Sequence, residues 1–193
     1  MQVNLKRLHG NFNAGYALDK HTLSSTPIGH NEQGHMQFDT KRPPAGEALY
    51  QLKYNNKDFG QVEPLAQAVV EHIVPLLPKI AMVVPMPPSR ARPQQPVTEL
   101  ARAIARKLNV KMFELLRKAP NGPSLKDLPT RAEKVAALQG MITLNPGITN
   151  EGRWTALLVD DLFDSGATVD AACHVLRTYE KIGDIYVATI TWK

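Results

Sequence analysis

Leu157-Leu158-Val159-Asp160-Asp161-Leu162-Phe163-Asp164-Ser165-Gly166-Ala167-Thr168-Val169 joins an apolar run, two adjacent carboxylates and a loop of small residues. The run from Ala156 to Val159 is too short for a helix and reads as a strand buried on both faces. Ionised side chains do not stay buried unpaired. The strand is therefore expected to end at the acids, placing Asp160 and Asp161 at the carboxyl edge of a parallel sheet, where open α/β folds hold ligands. Aspartates there can accept hydrogen bonds from vicinal hydroxyls, as on a ribose. Ser165, Gly166 and Ala167 carry little bulk, so the backbone N–H groups from Asp164 to Thr168 can close around an anion at the start of the helix that follows. Thr168 adds a hydroxyl to that cradle.

Val169, Ala172, Cys173, Leu176 and Tyr179 recur at helical spacing, and Gly183 is expected to end this helix. Ile185 to Trp192 is rich in β-branched and aromatic residues and predicts another strand, completing a strand–loop–helix–strand unit. Other owners of a strand followed by acids are excluded by their missing partners. The chain contains neither G-x-x-x-x-G-K-[ST] nor G-x-G-x-x-G, and Asp160 to Gly166 does not have the spacing of a calcium loop.

A second strand signal, Ile80 to Val84, leads into Pro85-Met86-Pro87-Pro88-Ser89-Arg90. Three prolines fix φ and remove N–H donors, so the turn is pre-set to aim Ser89 and Arg90 at one point. A guanidinium such as that of Arg90 grips phosphate oxygens through two parallel hydrogen bonds. Two helices frame this strand, with apolar stripes Val62, Leu65, Ala66, Val69, Val70, Ile73 and Val97, Leu100, Ala101, Ile104, Leu108. Phe113 to Leu116 and Met141 to Leu144 are further short strand candidates. Between them, Lys118 to Lys126 reads as a mobile loop rich in proline and glycine, with Arg131 and Lys134 near the start of a short helix.

The thirteen residues from Leu157 to Val169 resemble the signature of type I phosphoribosyltransferases, which bind phosphoribosyl pyrophosphate (PRPP) at such a strand–loop–helix. The resemblance implies an α/β fold, a parallel sheet flanked by helices, with a small amino-terminal hood. It also implies a Mg²⁺-dependent transferase of the glycosyltransferase class, acting on PRPP and a nucleobase or related nitrogen acceptor and releasing pyrophosphate. Asp160 and Asp161 would hold the ribose hydroxyls directly or through Mg²⁺, and Asp164, Ser165, Gly166, Ala167 and Thr168 would wrap the 5-phosphate. Asp164 would assist proton transfer at the incoming base, so the catalytic set is Asp160, Asp161 and Asp164. Ser89 and Arg90 would form the pyrophosphate loop. Lys118, Lys126 and Arg131 fall where the family carries a flexible lid that keeps water from PRPP.

More closely, Val83-Val84-Pro85-Met86-Pro87, Arg90-Ala91-Arg92, Gln95 and the following Ala/Leu/Arg-rich helix look like the ComF-type branch, associated with bacterial competence, as does Leu52-Lys53-Tyr54 upstream. That branch often begins with a four-cysteine zinc module. This chain has one cysteine, Cys173, so no such module forms. The resemblance covers residues 47–193 as the α/β core and leaves residues 1–46 as an irregular β hood segment, one compact domain overall. The superfamily also includes regulators that keep the PRPP loop as a sensor of PRPP or nucleotides and act on nucleic acid or a partner protein. That is the alternative function.

The remaining composition sets the setting. A chain of 193 residues with 43% apolar content can bury one sizeable core. No amino-terminal targeting pattern and no apolar run near membrane-span length is present, which predicts a cytoplasmic protein without a membrane partner. A net charge of +5 suits an anionic ligand, either a pyrophosphorylated sugar or a nucleic acid, and its spread along the chain singles out neither. A homodimer is a candidate assembly. His21, His30 and His35 have spacings that match no metal motif, and Cys173 on an apolar helix face reads as core.

Overall fold

Val83 and Val84 on one strand and Leu157 and Leu158 on its neighbour are fully buried and lie side by side at the middle of the sheet. The structure, a computed structural model, describes residues 1–54, 57–89, 92–119, 128, 130–138 and 140–193, with backbone alone for 131, 132, 135 and 136. In chain order the strands are β1 (Lys6–Leu8), β2 (Ala14–Lys20), β3 (Ser24–His30), β4 (Met36–Lys41), β5 (Met82–Pro85), β6 (Lys111–Met112), β7 (Leu116–Lys118), β8 (Ile142–Leu144), β9 (Trp154–Phe163) and β10 (Ile182–Trp192). The helices are α1 (Pro44–Lys53), α2 (Val62–Ala68), α3 (Pro96–Leu108), α4 (Arg131–Leu138) and α5 (Ala167–Arg177). The central sheet has the order β1-β2-β10-β9-β5-β6, parallel throughout except for β1 at one edge. Helices cover both of its faces, as a sheet of near-continuous apolar strands requires.

The alternation of side chains along β9 sorts the core into two layers. Leu157 and Val159 pack with α1, α2 and α3 on one face, while Ala156 and Leu158 pack with α5, β7 and β8 on the other. α3, which follows β5, and α5, which follows β9, therefore leave neighbouring strands toward opposite faces. Their departure opens a crevice at the carboxyl ends of β5 and β9, the switch point at which open α/β sheets hold ligands.

Several elements differ from the sequence expectation. β9 does not stop before the acids. It continues to Phe163, because β10 keeps pairing with it (Thr189 opposite Asp160, Trp192 opposite Phe163) after β5 has turned away at Pro85. α5 ends at Arg177, six residues before Gly183, in a turn where the Thr178 hydroxyl donates to the Val175 carbonyl. Gly183 lies instead inside β10, at the register shift between Ile182 and Ile185. The helical stripe from Val62 to Ile73 is α2 followed by a wider π-type turn over Val69–Ile73 and a tight turn over Val74–Leu76. The Phe113–Leu116 candidate divides into β6 and β7 on either side of it.

The amino-terminal segment has two parts. β1 and β2 join the central sheet, β2 running parallel to β10 with Trp192 opposite Lys20. β3 and β4 form a separate antiparallel hairpin that leaves Leu23, Ile28, Met36 and Phe38 exposed. Cys173 is fully buried, and burial pushes its thiol up to about 12. Among the described residues, no helix is long and apolar enough to cross a membrane.

Candidate functional site

Asp160 and Asp161 lie past the last β5 pair, Pro85 with Val159, and so at the carboxyl edge of β5 although still within the ladder to β10. Being neighbours on a strand, they face opposite sides of the sheet. Asp161 points to the α1 side, where Lys53 Nζ is 2.5 Å from its Oδ2. Asp160 points to the α5 side and is only 8% exposed. Burial, reinforced by the charge of Asp161, pushes its carboxyl up to about 8, and the Asp161 N–H donated to its Oδ1 at 2.8 Å opposes that rise only in part. The two carboxyls thus differ in setting: among the described residues Asp161 has a cationic partner in contact and Asp160 has none. For Lys53, burial favours the neutral form, but Asp161 outweighs it and holds the ammonium above its ordinary range.

Beyond Phe163 the chain turns through Asp164 and Ser165 into α5. Gly166 takes φ +80° at the helix start, and a Cβ there would sit 2.7 Å from Cζ of Phe163. The first N–H groups of α5 have no intrahelical carbonyl to meet, so they point into the turn. Asp164, Ser165, Gly166, Ala167 and Thr168 line a cavity of about 100 Å³ together with Leu162, Phe163, Val169 and Lys134. Lys134 comes from α4, whose start is fixed by a reciprocal cap: Thr130 Oγ1 accepts from the Glu133 N–H, and Glu133 Oε2 accepts from the Thr130 N–H. Its Nζ lies 3.7 Å from Asp164 Oδ2. A helix start and a lysine thus converge on one small cavity, within which the Ala167 N–H donates to Ser165 Oγ at 3.5 Å, an arrangement that suits an anion.

Ser89, in the proline turn after β5, accepts a hydrogen bond of 2.9 Å from Lys118 Nζ at the end of β7. Lys118 is lowered by burial, with the charge of Asp160 acting in the other direction. Ser89 and Lys118, both candidates from the sequence, therefore meet, close enough to Asp160 for its charge to be felt. Arg90 and Lys126 lie outside the described residues, and Arg131 opens α4 with its backbone only described. Beside the proline turn lies a larger cavity of about 220 Å³ bounded by Arg102, Glu99 and Glu114. It shares no lining residue with the cradle.

Two residues of the site escaped sequence reasoning as functional groups. Lys134 was visible only as a cation near a helix start. Lys53 was visible only in Leu52-Lys53-Tyr54, since its partner Asp161 is 108 residues away and no local periodicity links them. Among the described residues, no cluster of three or more His, Cys, Asp or Glu forms a metal site. His21 instead meets Thr191, Nδ1 to Oγ1 at 3.1 Å.

No family model and no curated protein matches the chain. Among solved structures it is similar to adenine phosphoribosyltransferase from Trypanosoma brucei, in complex with AMP, pyrophosphate and ribose-5-phosphate. That likeness is 14% in identity, with a TM-score of 0.55 over 100% of this chain and 76% of the other. The adenine phosphoribosyltransferases of Leishmania donovani (11%, TM-score 0.48, 98% and 86% covered) and Saccharomyces cerevisiae (14%, TM-score 0.46, 87% and 85% covered) also match. At these identities the likeness is one of fold, and the ComF-type placement rests on the sequence segments alone. The mostly parallel sheet with helices on both faces, its switch point between β5 and β9, and the Trypanosoma brucei match together give this chain the fold of the type I phosphoribosyltransferases.

Proposed function

We propose that the chain is a phosphoribosyltransferase that binds PRPP and transfers its phosphoribosyl group to a nitrogen acceptor such as a nucleobase, releasing pyrophosphate. The observation that carries this reading is the cavity formed by Asp164–Thr168 and Lys134, next to the acid pair at the sheet's switch point. The cradle would take the 5-phosphate, with Lys134 offsetting its charge. Asp160 and Asp161 would meet the ribose hydroxyls. As the anomeric bond breaks, the ring becomes oxocarbenium-like and pyrophosphate leaves with added negative charge, so both ends need preorganised partners. Ser89 and Lys118, with Arg90 and the lid residues Lys126 and Arg131, would flank the pyrophosphate. Asp164, exposed at the cavity rim, would accept the proton from the acceptor nitrogen.

Mg²⁺ belongs to this proposal in an indirect form. The two carboxyls face opposite sides of β9, and one oxygen of Asp161 is held by Lys53, so they do not chelate one ion together. Either carboxylate singly, directly or through water, would help hold an ion that arrives with the phosphorylated substrate, the usual habit of Mg²⁺. Such an ion would neutralise the departing pyrophosphate. A cytoplasmic location, and a second copy covering the exposed side chains of the β3–β4 hairpin, complete the reading. The residue range 1–46 as hood narrows in it to that hairpin, since β1 and β2 are part of the sheet.

Isothermal titration with PRPP in the presence and absence of Mg²⁺, beside a pyrophosphate-release screen over purine and pyrimidine bases, tests the proposal. Binding with turnover on one base supports it. Binding without turnover on any acceptor turns it into a sensor module of the same fold, and absence of PRPP binding ends it.

A further inference from the structure

Lys53 is a residue the proposed chemistry does not itself use, yet its Nζ reaches Asp161 Oδ2 at 2.5 Å from the last turn of α1. Both ends of this contact are anchored. On one side, Leu49 and Leu52 of α1 are fully buried against the sheet, which fixes the base of the lysine. On the other, the Asp161 carbonyl accepts from the Thr191 hydroxyl at 3.1 Å, and β10 pairs with β9 on both sides of it. The two side chains are 19% and 17% exposed, so the pair is partly withdrawn from water. Pairs of that kind return little net stability, because desolvation offsets their attraction. What a doubly anchored pair does supply is placement. Oδ2 is committed to Lys53, and among the described residues Oδ1 has no partner.

We propose that Lys53 is the positioning residue of the acid pair, holding Asp161 so that its one free oxygen, Oδ1, receives a hydroxyl of the sugar. This rests on the reading of the site given above. The carboxylate reaches the edge already oriented, so a ribose hydroxyl meets it without ordering it first, and a charge-assisted hydrogen bond forms with less loss of side-chain freedom. The same geometry assigns a task to Leu52-Lys53-Tyr54 that its position in the sequence does not disclose. Without the ammonium, the carboxylate turns freely and both of its oxygens compete for water.

Titration of the full chain with ribose 5-phosphate and, separately, with inorganic phosphate tests the assignment, since phosphate alone meets only the cradle. Lys53→Met should weaken ribose 5-phosphate about tenfold or more while changing inorganic phosphate by less than about twofold. Lys53→Arg should restore most of the loss, and in an Asp161→Asn background Lys53→Met should cost far less than in wild type, since only the weaker effect of the Lys53 charge on Asp160 then remains. A thermal melt of each variant confirms that it is folded, and Lys53→Gln carries the same comparison if Lys53→Met is not. Equal affinity of wild type and Lys53→Met for ribose 5-phosphate overturns the proposal, as does an undiminished loss in the Asp161→Asn background. A wild-type chain that binds neither probe overturns the site reading itself, and the role of Lys53 with it.

Discussion

The ring of Phe163 occupies the space that a side chain on Gly166 would need: a Cβ there would lie 2.7 Å from Cζ and 3.2 Å from Cε2. Gly166 also holds φ +80°, a region that L side chains rarely adopt. Phe163 and Gly166 both line the cavity at the start of α5.

Gly166→Ala should therefore act twice. Steric overlap and backbone strain lower stability, by about 1–3 kcal/mol, and the opened loop loses anion affinity. Phe163→Leu in the same chain relieves the overlap but not the φ requirement, so it should recover part of the stability and little of the affinity. Thermal melts with and without inorganic phosphate separate the two effects. A Gly166→Ala chain with unchanged melting and phosphate affinity would show that the loop is not a cradle.

Asp160 should weaken the fold at neutral and alkaline pH. Its carboxyl moves from an ordinary value of 3.8 to about 8 on folding, because burial and then the charge of Asp161 disfavour ionisation. Between those values the folded chain keeps a proton that the unfolded chain has released. The stability contributed by Asp160 is thus fully present below about pH 4 and is lost as pH rises through about 8. Asp160→Asn supplies a neutral isostere that still accepts from the Asp161 N–H, so it should gain about 1 kcal/mol or more at pH 8, shrinking toward nothing near pH 4. Denaturant titrations of both chains at pH 5 and pH 8 read this directly. A variant no more stable at pH 8 would mean that the carboxyl is not desolvated there. The same substitution should weaken ribose 5-phosphate, so that stability rises as binding falls.

Lys134 should contribute to anion binding without supporting the fold. Its partner Asp164 is 59% exposed, and a pair 3.7 Å apart at a rim contributes little to stability. Lys134→Met should leave the melting temperature nearly unchanged and weaken inorganic phosphate by roughly three- to tenfold, with a flatter dependence on salt. Unaltered phosphate affinity across the salt series would remove Lys134 from the site.

How much of this was legible in the sequence follows the range of each interaction. The cradle is contiguous, so Asp164 to Thr168 could be read from small residues before a helix, and its five residues do share one cavity. α3 was visible from the helical spacing of Val97, Leu100, Ala101, Ile104 and Leu108; in the structure Pro96 opens it and Asn109 closes it with φ +53°. The end of β9 is not legible locally because it depends on β10, whose continued pairing carries the strand through Asp160 and Asp161. Gly183 read as a helix stop because a glycine serves a helix end and a strand irregularity alike, and only the turn at Thr178 decides between them. Lys53 and Asp161 are joined by tertiary packing across the sheet, a relation that one sequence does not encode in any local spacing.

Lys118 should sort ligands by which end of PRPP they represent. Its Nζ reaches Ser89 Oγ at 2.9 Å beside the carboxyl end of β5, whereas the cradle belongs to the loop after β9. In the proposed reading a cation placed there would serve the departing pyrophosphate rather than the 5-phosphate. Burial holds the ammonium below its ordinary value, and an incoming polyanion would favour its charged form. Lys118→Met should accordingly weaken pyrophosphate and PRPP by roughly tenfold and leave ribose 5-phosphate within about twofold of wild type, and Ser89→Ala should follow the same order with a smaller loss. Competition titrations with the three ligands give the ranking. If Lys118→Met instead weakened ribose 5-phosphate as much as pyrophosphate, the lysine would belong to the sugar side, and the division of the crevice between the loops after β5 and β9 would have to be redrawn.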